Sequence, residues 1–445
     1  MPGAEPQVVF GLSPVWVASA LFLLVYGVVM TERVNRAVVA LLGAGLMITL
    51  GVLNQEAAIE GIDFNTLGLL VGMMVIVAVT RKSGLFQYLA IWSAKRVKAQ
   101  PWGILVMLSL VTAFTSALLD NVTTVLLVTP VTLLITGELR INPYPYLFTE
   151  ILASNIGGTA TLIGDPPNIM IGSAVGLSFN DFVYHLTPAV VVILAVTLIA
   201  IYFIWGRRLH AAEEARHRVM SLRENEAITD QRLLQQALLV LGLVITGFVF
   251  SRTLHLEAAT IALFGAALLL LVHNLGRNPE EQSADVHASF AEVEWVTIFF
   301  FVGLFVVVHG LDTTGVLKML ADRVLAVTGG NMGVTAMAIL WGSAVLSAFV
   351  DNIPFVATMI PLIQSMAPAF GGEQALMPLW WSLSLGVCLG GNGTLIGASA
   401  NLTVAGLAER AGVAFRFIPF LKVAFPLMLL SIVISSIYVY LRYLT

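Results

Sequence analysis

Charge is what this sequence has least of. Only 11% of its 445 residues are Asp, Glu, Lys or Arg, against about 25% in an average soluble chain. With 58% of the residues hydrophobic, so few charges cannot cover a globule in water, and a polytopic membrane protein is expected. Cysteine is nearly absent. Cys388 stands alone, which excludes an internal disulfide and any multi-thiolate metal site. The seven histidines show no ligand spacing. No polar stretch exceeds Gly206–Gln236, too short for a soluble domain, and no nucleotide-binding phosphate loop occurs. Energy for any work must therefore come from an ion gradient, from a solute, or from a partner chain. The first apolar run follows an acidic lead-in at Glu5, so a cleavable signal is not expected.

Apolar runs are abundant. Crossing a bilayer takes about 20 helical residues. Simple spans are expected at Val15–Met30, Val34–Val52, Phe64–Val79 and Pro188–Trp205, then at Leu233–Phe250, Ala258–Val272, Val296–His309 and Pro419–Tyr440. Four other stretches do not read as simple spans. Gly103–Thr136 would be about 50 Å long as one helix, and Asp120-Asn121 sits at its middle. A carboxylate at bilayer depth costs about 2.5–3.5 kcal/mol even on the lenient insertion scale. A re-entrant hairpin with arms of about 15 residues, too short for full crossings, accommodates both facts. Gly333–Phe370 repeats the pattern with Asp351-Asn352 at its tip. Leu147–Gly176 and Leu376–Ala408 are apolar but interrupted by paired glycines or prolines, which a continuous helix does not hold. They read as discontinuous helices, tolerated at membrane depth only where protein or a watery cavity satisfies the backbone.

The two halves match. Gly72 and Gly303, Asp120 and Asp351, and Pro130 and Pro361 are each 231 residues apart; Thr161 and Thr394, Gly164 and Gly397, and Asn168 and Asn401 are 233 apart. Constant offsets mean an internal repeat. The first unit covers 1–205, with hairpin 103–136 and broken helix 147–176. A cytoplasmic linker follows at 206–232, and the second unit covers 233–445, with hairpin 333–370 and broken helix 376–408. Each unit carries three spans, a hairpin, a broken helix and a last span. Five crossings per half make the repeat inverted. Arg81–Lys98 and Arg207–Arg232 hold eleven of the 22 Lys and Arg, and this topology puts both on the cytoplasmic side, as the positive-inside bias requires. Both termini are then extracytoplasmic. Gly84–Lys98 and Gly315–Thr328 read as helices lying along the membrane surface, the second with a stripe of Leu317, Leu320, Val324 and Val327.

Inverted repeats with broken helices point to a secondary transporter with a site near the midplane. The candidate solute-binding residues are Asn121, Thr123, Thr124, Asn155, Thr159 and Asn168, with Asn352, Asn392, Thr394 and Asn401 from the second half. Ser154, Thr161 and Ser399 lie in the same breaks. Asp120, Asp165 and Asp351 are the candidate ion-coupling residues. Asp165 stands out because Ala398 takes its place in the other half. The set contains no Arg or Lys, which a polyanion site usually has. Carboxylates with amides and hydroxyls suit a hard cation, a proton or a neutral hydroxylated solute. Two buried Asp could also share a proton in an intramembrane protease, but Leu162-Ile163-Gly164 before Asp165 lacks that family's Gly-x-Gly, and the paired Asn residues have no role there.

The stretches DNVTTVLLVTP, SNIGGTATLIGDPPN, DNIPFVATMIP and GGNGTLIGASAN resemble the ion-transporter superfamily over nearly the whole chain. They are most similar to the branch of arsenite efflux permeases (ArsB type), NhaD-type sodium/proton antiporters and the melanosomal P protein. The resemblance implies an all-α membrane protein of the inverted-repeat elevator type, with two re-entrant hairpins and two discontinuous helices. It implies a homodimer in the plasma (inner) membrane, with the surface helices as connecting arms. The activity it implies is proton-coupled efflux of arsenite or antimonite as neutral trihydroxides, with sodium/proton antiport as the alternative. The dicarboxylate branch has Ser-Asn-Thr tips, which this chain lacks, so citrate or succinate transport is less expected. No cofactor is expected beyond the coupling proton or Na+. The expected partners are a small inorganic solute, the lipid bilayer and a second copy, with a cytosolic arsenite ATPase admitted and no nucleic acid.

Overall fold

Capping side chains divide the apolar chain into helices at the places its polar residues mark. A computed structural model describes residue 8, residues 11–31 and residues 33–445. The first four helices are α1 (Pro14–Met30), α2 (Arg36–Thr49), the short α3 (Gln55–Glu60) and α4 (Phe64–Arg81). Asp63 caps α4 by accepting from the Asn65 and Thr66 amides. Next come α5 (Leu85–Arg96), α6 (Pro101–Leu118), α7 (Asn121–Leu139), α8 (Tyr144–Gly158), α9 (Pro166–Val175) and α10 (Phe179–Ile204). A connecting stretch contains α11 (Glu213–Ser221). The second half runs α12 (Gln231–Val249), α13 (Ser251–Leu254), α14 (Ala258–Asn274), α15 (Pro279–Ala291) and α16 (Trp295–Thr313). Then follow α17 (Val316–Thr328), α18 (Met332–Phe349), α19 (Asn352–Gln364) and the short α20 (Ala367–Phe370). The chain closes with α21 (Met377–Gly390), α22 (Ser399–Arg410) and α23 (Phe417–Val439). Among the described residues there is no strand, and eight helices are long and apolar enough to cross a membrane.

Each half completes the other. α4 packs on α14, and α16 packs on α2. Both crossings close on a glycine: a Cβ at Gly72 would lie 2.6 Å from the Ala262 carbonyl carbon, and one at Gly303 would strike the Ala40 backbone. α6 packs on α8 and α18 on α21, while α7 meets α22 and α9 meets α19. Large apolar side chains such as Trp16, Leu23, Val191, Leu239 and Phe264 remain exposed on the outer helices, the surface a bilayer covers.

The structure corrects several boundaries. The arms of the first helical pair are 18 and 19 residues long, not about 15, because Pro101 starts α6 early and α7 continues past Pro130 to Leu139. α18 and α19 have 18 and 13 residues. The last span of the first half begins at Phe179, not Pro188: a capping box of Ser178 and Asp181 starts α10, which runs on through Pro188.

The two surface helices differ. Both begin after a left-handed glycine, Gly84 at φ 81° and Gly315 at φ 79°, a conformation a side chain would strain. α5 is not free on the surface. Phe86, Ala90 and Ala94 are buried, and the linker lies across the helix. Lys95 pairs with Glu224 and donates to the Leu222 carbonyl, Thr229 donates to the Ser83 carbonyl at 3.1 Å, and Arg218 donates to the Glu138 carbonyl at 2.8 Å. On α17 the expected apolar stripe is split: Leu317 is buried whereas Val327 is 87% exposed.

Candidate functional site

Four interruptions of helix meet in one place: the turn between α6 and α7, the break between α8 and α9, the turn between α18 and α19, and the break between α21 and α22. Matching bonds hold each turn to the break of its own half. Ser116 Oγ donates to the Ser154 carbonyl at 2.7 Å, and Ser347 Oγ to the Val387 carbonyl at 2.9 Å. Thr161 Oγ1 donates to the Ala117 carbonyl, and Thr394 Oγ1 to the Ala348 carbonyl. Both breaks are also spanned by an amide. Asn168 Nδ2 donates to the Thr159 and Thr161 carbonyls at 3.1 and 2.9 Å; Asn401 Nδ2 donates to the Gly391 and Thr394 carbonyls at 2.8 Å each. Unwound backbone that no water reaches must be satisfied in this way.

The halves are then joined by side chains. Asn155 Nδ2 donates to Asn392 Oδ1 and Asn401 Oδ1, both at 2.9 Å. Cys388, 233 residues after Asn155, sits 3.5 Å from Asn168 Oδ1, which also accepts from Ser384 Oγ at 2.6 Å. Cys388 is thus packed in place as a weakly donating side chain.

At the centre lies Asp165, fully buried. Its Oδ1 accepts from Asn121 Nδ2 at 3.2 Å and from Asn352 Nδ2 at 3.4 Å, one amide from each turn. Asn121 Nδ2 also donates to Asn155 Oδ1 at 3.2 Å. Asp165 Oδ2 makes no hydrogen bond, although the Cys388 thiol faces the same carboxyl. A carboxylate oxygen with only a weakly donating thiol near it, within a ring of amides, can take a proton or hold a small cation with the help of amide oxygens.

Most of the other sequence candidates are engaged elsewhere. Asp120 caps α7, accepting from the Thr123 amide at 2.7 Å and from the Thr123 hydroxyl. Thr159 donates to the Asn155 carbonyl, and Ser154 to the Asn121 carbonyl. The Thr124 hydroxyl is buried with no partner. Asp351 caps α19 through the Ile353 amide at 3.1 Å and pairs with Arg36 at 3.2 Å. That ion pair brings a basic side chain beside a candidate set that itself contains none. Arg36 also donates to Thr297 at 2.9 Å and lies over the Phe300 ring. Arg33, Arg36, Tyr26, Asp351 and Ser399 line a cavity of about 410 Å³ between α1, α2 and the second turn.

Arg36 escaped the sequence reading because it begins a helix remote in sequence from the second turn. Glu150 escaped it for no such reason. It is a lone acid inside an apolar run, the same signal that singled out Asp120, and it is 1% exposed.

Arg36→Gln is expected to lower the thermal midpoint of the detergent-solubilised protein, by about 1–2 kcal/mol of stability. That is less than a fully buried pair would lose, because both side chains are about a quarter exposed. Arg36→Lys should recover less than half of the loss, since an ammonium cannot reach Asp351 and Thr297 together as the planar fork does. A glutamine variant melting with the wild type would show that the pair holds nothing.

The sequence model of the citrate transporter family (CitMHS) matches residues 26–386. An uncharacterized transporter of Mycobacterium tuberculosis is 44% identical over 431 residues, covering 96% of this chain and 98% of that protein. A 46 kDa membrane protein of Mycobacterium leprae is 42% identical, covering 96% and 99%. The P protein of Mus musculus is 32% identical over 95% of this chain, which spans 60% of that longer protein. Among solved structures, the YdaH transporter of Alcanivorax borkumensis superposes with a TM-score of 0.62 at 14% identity, covering 97% of this chain and 99% of that one. MtrF of Neisseria gonorrhoeae, described within a class of antimetabolite efflux pumps, superposes with a TM-score of 0.58 at 11% identity, covering 99% and 97%. At such identities these two structures speak for the fold alone.

Proposed function

This chain belongs to the citrate transporter family (CitMHS), a multi-pass membrane transporter and not an enzyme, and on that premise we propose that it couples solute movement to protons through Asp165. The observation that carries this reading is the buried, partnerless Oδ2 of Asp165 at the meeting of both turns and both breaks. A carboxyl there can be loaded with a proton on one side of the membrane and unloaded on the other, if the elements around it move together. Such movement follows if α6–α9 and α18–α22 form a mobile body on a scaffold of the remaining spans, in two inverted repeats with re-entrant turns and a dimer contact between scaffolds.

For the solute, the amides of Asn121, Asn155, Asn352 and Asn392 favour a small neutral or cationic species. A trihydroxide such as arsenite could hydrogen-bond through its hydroxyls, and sodium could be held by oxygens. Arsenite efflux rests on the likeness of motifs, since none of the matched proteins reported above carries an arsenic name. The family's name supports a second reading, a tricarboxylate, and one observation favours it: Arg33 and Arg36 line the cavity beside the second turn. Against it, Arg36 is already engaged by Asp351.

Everted vesicles carrying the chain discriminate these. We expect an imposed proton gradient to drive uptake of arsenite and antimonite, in excess of vesicles lacking the protein. Sodium-stimulated proton movement without metalloid uptake would replace this reading with antiport, and citrate uptake alone would replace it with the tricarboxylate reading. Solute movement indifferent to a proton gradient would end the assignment of Asp165.

A further inference from the structure

We propose that Glu150, with the hydroxyls of Thr129 and Thr132, is a second proton-binding site, so that the protein carries two exchangeable protons per cycle where Asp165 alone would carry one. This rests on the proton-coupled reading above. Glu150 lies on α8, five residues before Asn155 and therefore about 7.5 Å from it along the helix axis, on the side of the Tyr144 end. Its Oε1 accepts from Thr129 Oγ1 at 2.7 Å, while Oε2 has no partner. Thr132, nearly one turn further along α7, faces the same carboxyl, but its hydroxyl makes no hydrogen bond.

No charged side chain among the described residues pairs with Glu150. The ionisable groups on elements packed against α8 are engaged elsewhere or lie outside: Glu138 with Arg218, Asp181 with Arg252, His185 with Tyr443, Cys388 with Asn168, and Glu409 and Arg410 exposed. A buried carboxylate with no cation beside it is costly as an anion and stable as an acid, and its free oxygen is the place for the proton.

The second half of the chain supplies an internal control. The same offsets carry Glu150 to Leu383 and Thr129 to Ile360, both buried hydrocarbon. At that position the fold is served by two apolar side chains. The acid and its hydroxyl replace both members of the pair in one half only, as Asp165 replaces the residue corresponding to Ala398. Structural need does not account for a carboxyl there; exchange of a proton does.

Infrared difference spectra of the purified protein, recorded between about pH 5 and about pH 9, cover the range in which buried Glu residues titrate. Two titrating buried-carboxyl bands are expected in the wild type, one removed by Glu150→Gln and the other by Asp165→Asn. In proteoliposomes loaded with a pH-sensitive dye, the ratio of protons to arsenite, sodium or citrate, whichever the wild type moves, should fall by half in Glu150→Gln. The double variant Glu150→Leu/Thr129→Ile copies the packing of the other half and gives the same measurement should the glutamine variant not fold. A Glu150 band that does not change with pH, or an unchanged ratio, overturns the proposal. Wild-type protein that moves no protons while the Glu150 band still titrates would refute the coupling reading and with it the count of two protons per cycle, and would leave Glu150 as a proton-binding site alone.

Discussion

Asp165→Asn is expected to abolish gradient-driven transport in everted vesicles, by about 100-fold or more, the scale of loss when a positioned proton-exchanging group is removed. The protein should remain folded and present at wild-type abundance. The amide keeps the shape of the carboxyl, and its oxygen can still accept from Asn121 and Asn352, as Oδ1 does at 3.2 and 3.4 Å. Its NH2 would fall where Oδ2 now lacks a partner. An unpaired amide there costs about 1–3 kcal/mol, offset by no longer burying a carboxylate. Stability is therefore close to unchanged while the exchangeable proton is gone. Solute exchange without a gradient, in which no net proton need move, should survive in the variant. Gradient-driven uptake at the wild-type rate would mean that the coupling ion rides elsewhere.

Gly157→Ala should do the opposite, damaging the fold first. Gly157 lies near the end of α8, where that helix presses on α6, and an added Cβ would lie 2.5 Å from the Ala113 Cα. The Cβ meets backbone atoms and its own position is fixed by the backbone, so no side-chain rotation relieves the clash and the helices must separate. Overpacking of this kind costs about 1–3 kcal/mol. Gly157 is two residues from Asn155, so the shift also reaches the bonds to Asn392 and Asn401, now 2.9 Å each. The thermal midpoint should fall by several degrees and transport should fall with it. Gly342→Ala on α18 is the control, since a Cβ there meets nothing within 4 Å. Equal melting of the two variants would show that the α6–α8 contact is not close.

The arms of the first helical pair illustrate how far apolar runs can be trusted. Hydropathy located the turn at Asp120-Asn121 but shortened both arms, because helices extend past the apolar segment wherever a cap or a starting proline lets them. Pro188 shows the converse: as a lone residue it reads as the start of a span, yet α10 passes through it, since neighbouring helices can absorb the missing backbone donor.

Composition and spacing were sufficient for the membrane class, for the two breaks and two turns, and for the asymmetry of Asp165 and Ala398. Each follows from a local constraint: a charge in apolar surroundings, a glycine or proline in a helix, a motif recurring at a constant offset. They could not say which polar groups remain free. Asp120 is spent on Thr123 three residues away, whereas Asp351 is met by Arg36 from 315 residues earlier and Asn155 reaches Asn401 across 246. A buried polar group must find a partner, but only the tertiary structure decides which one, and a site consists of the oxygens left over once every such partner has been found.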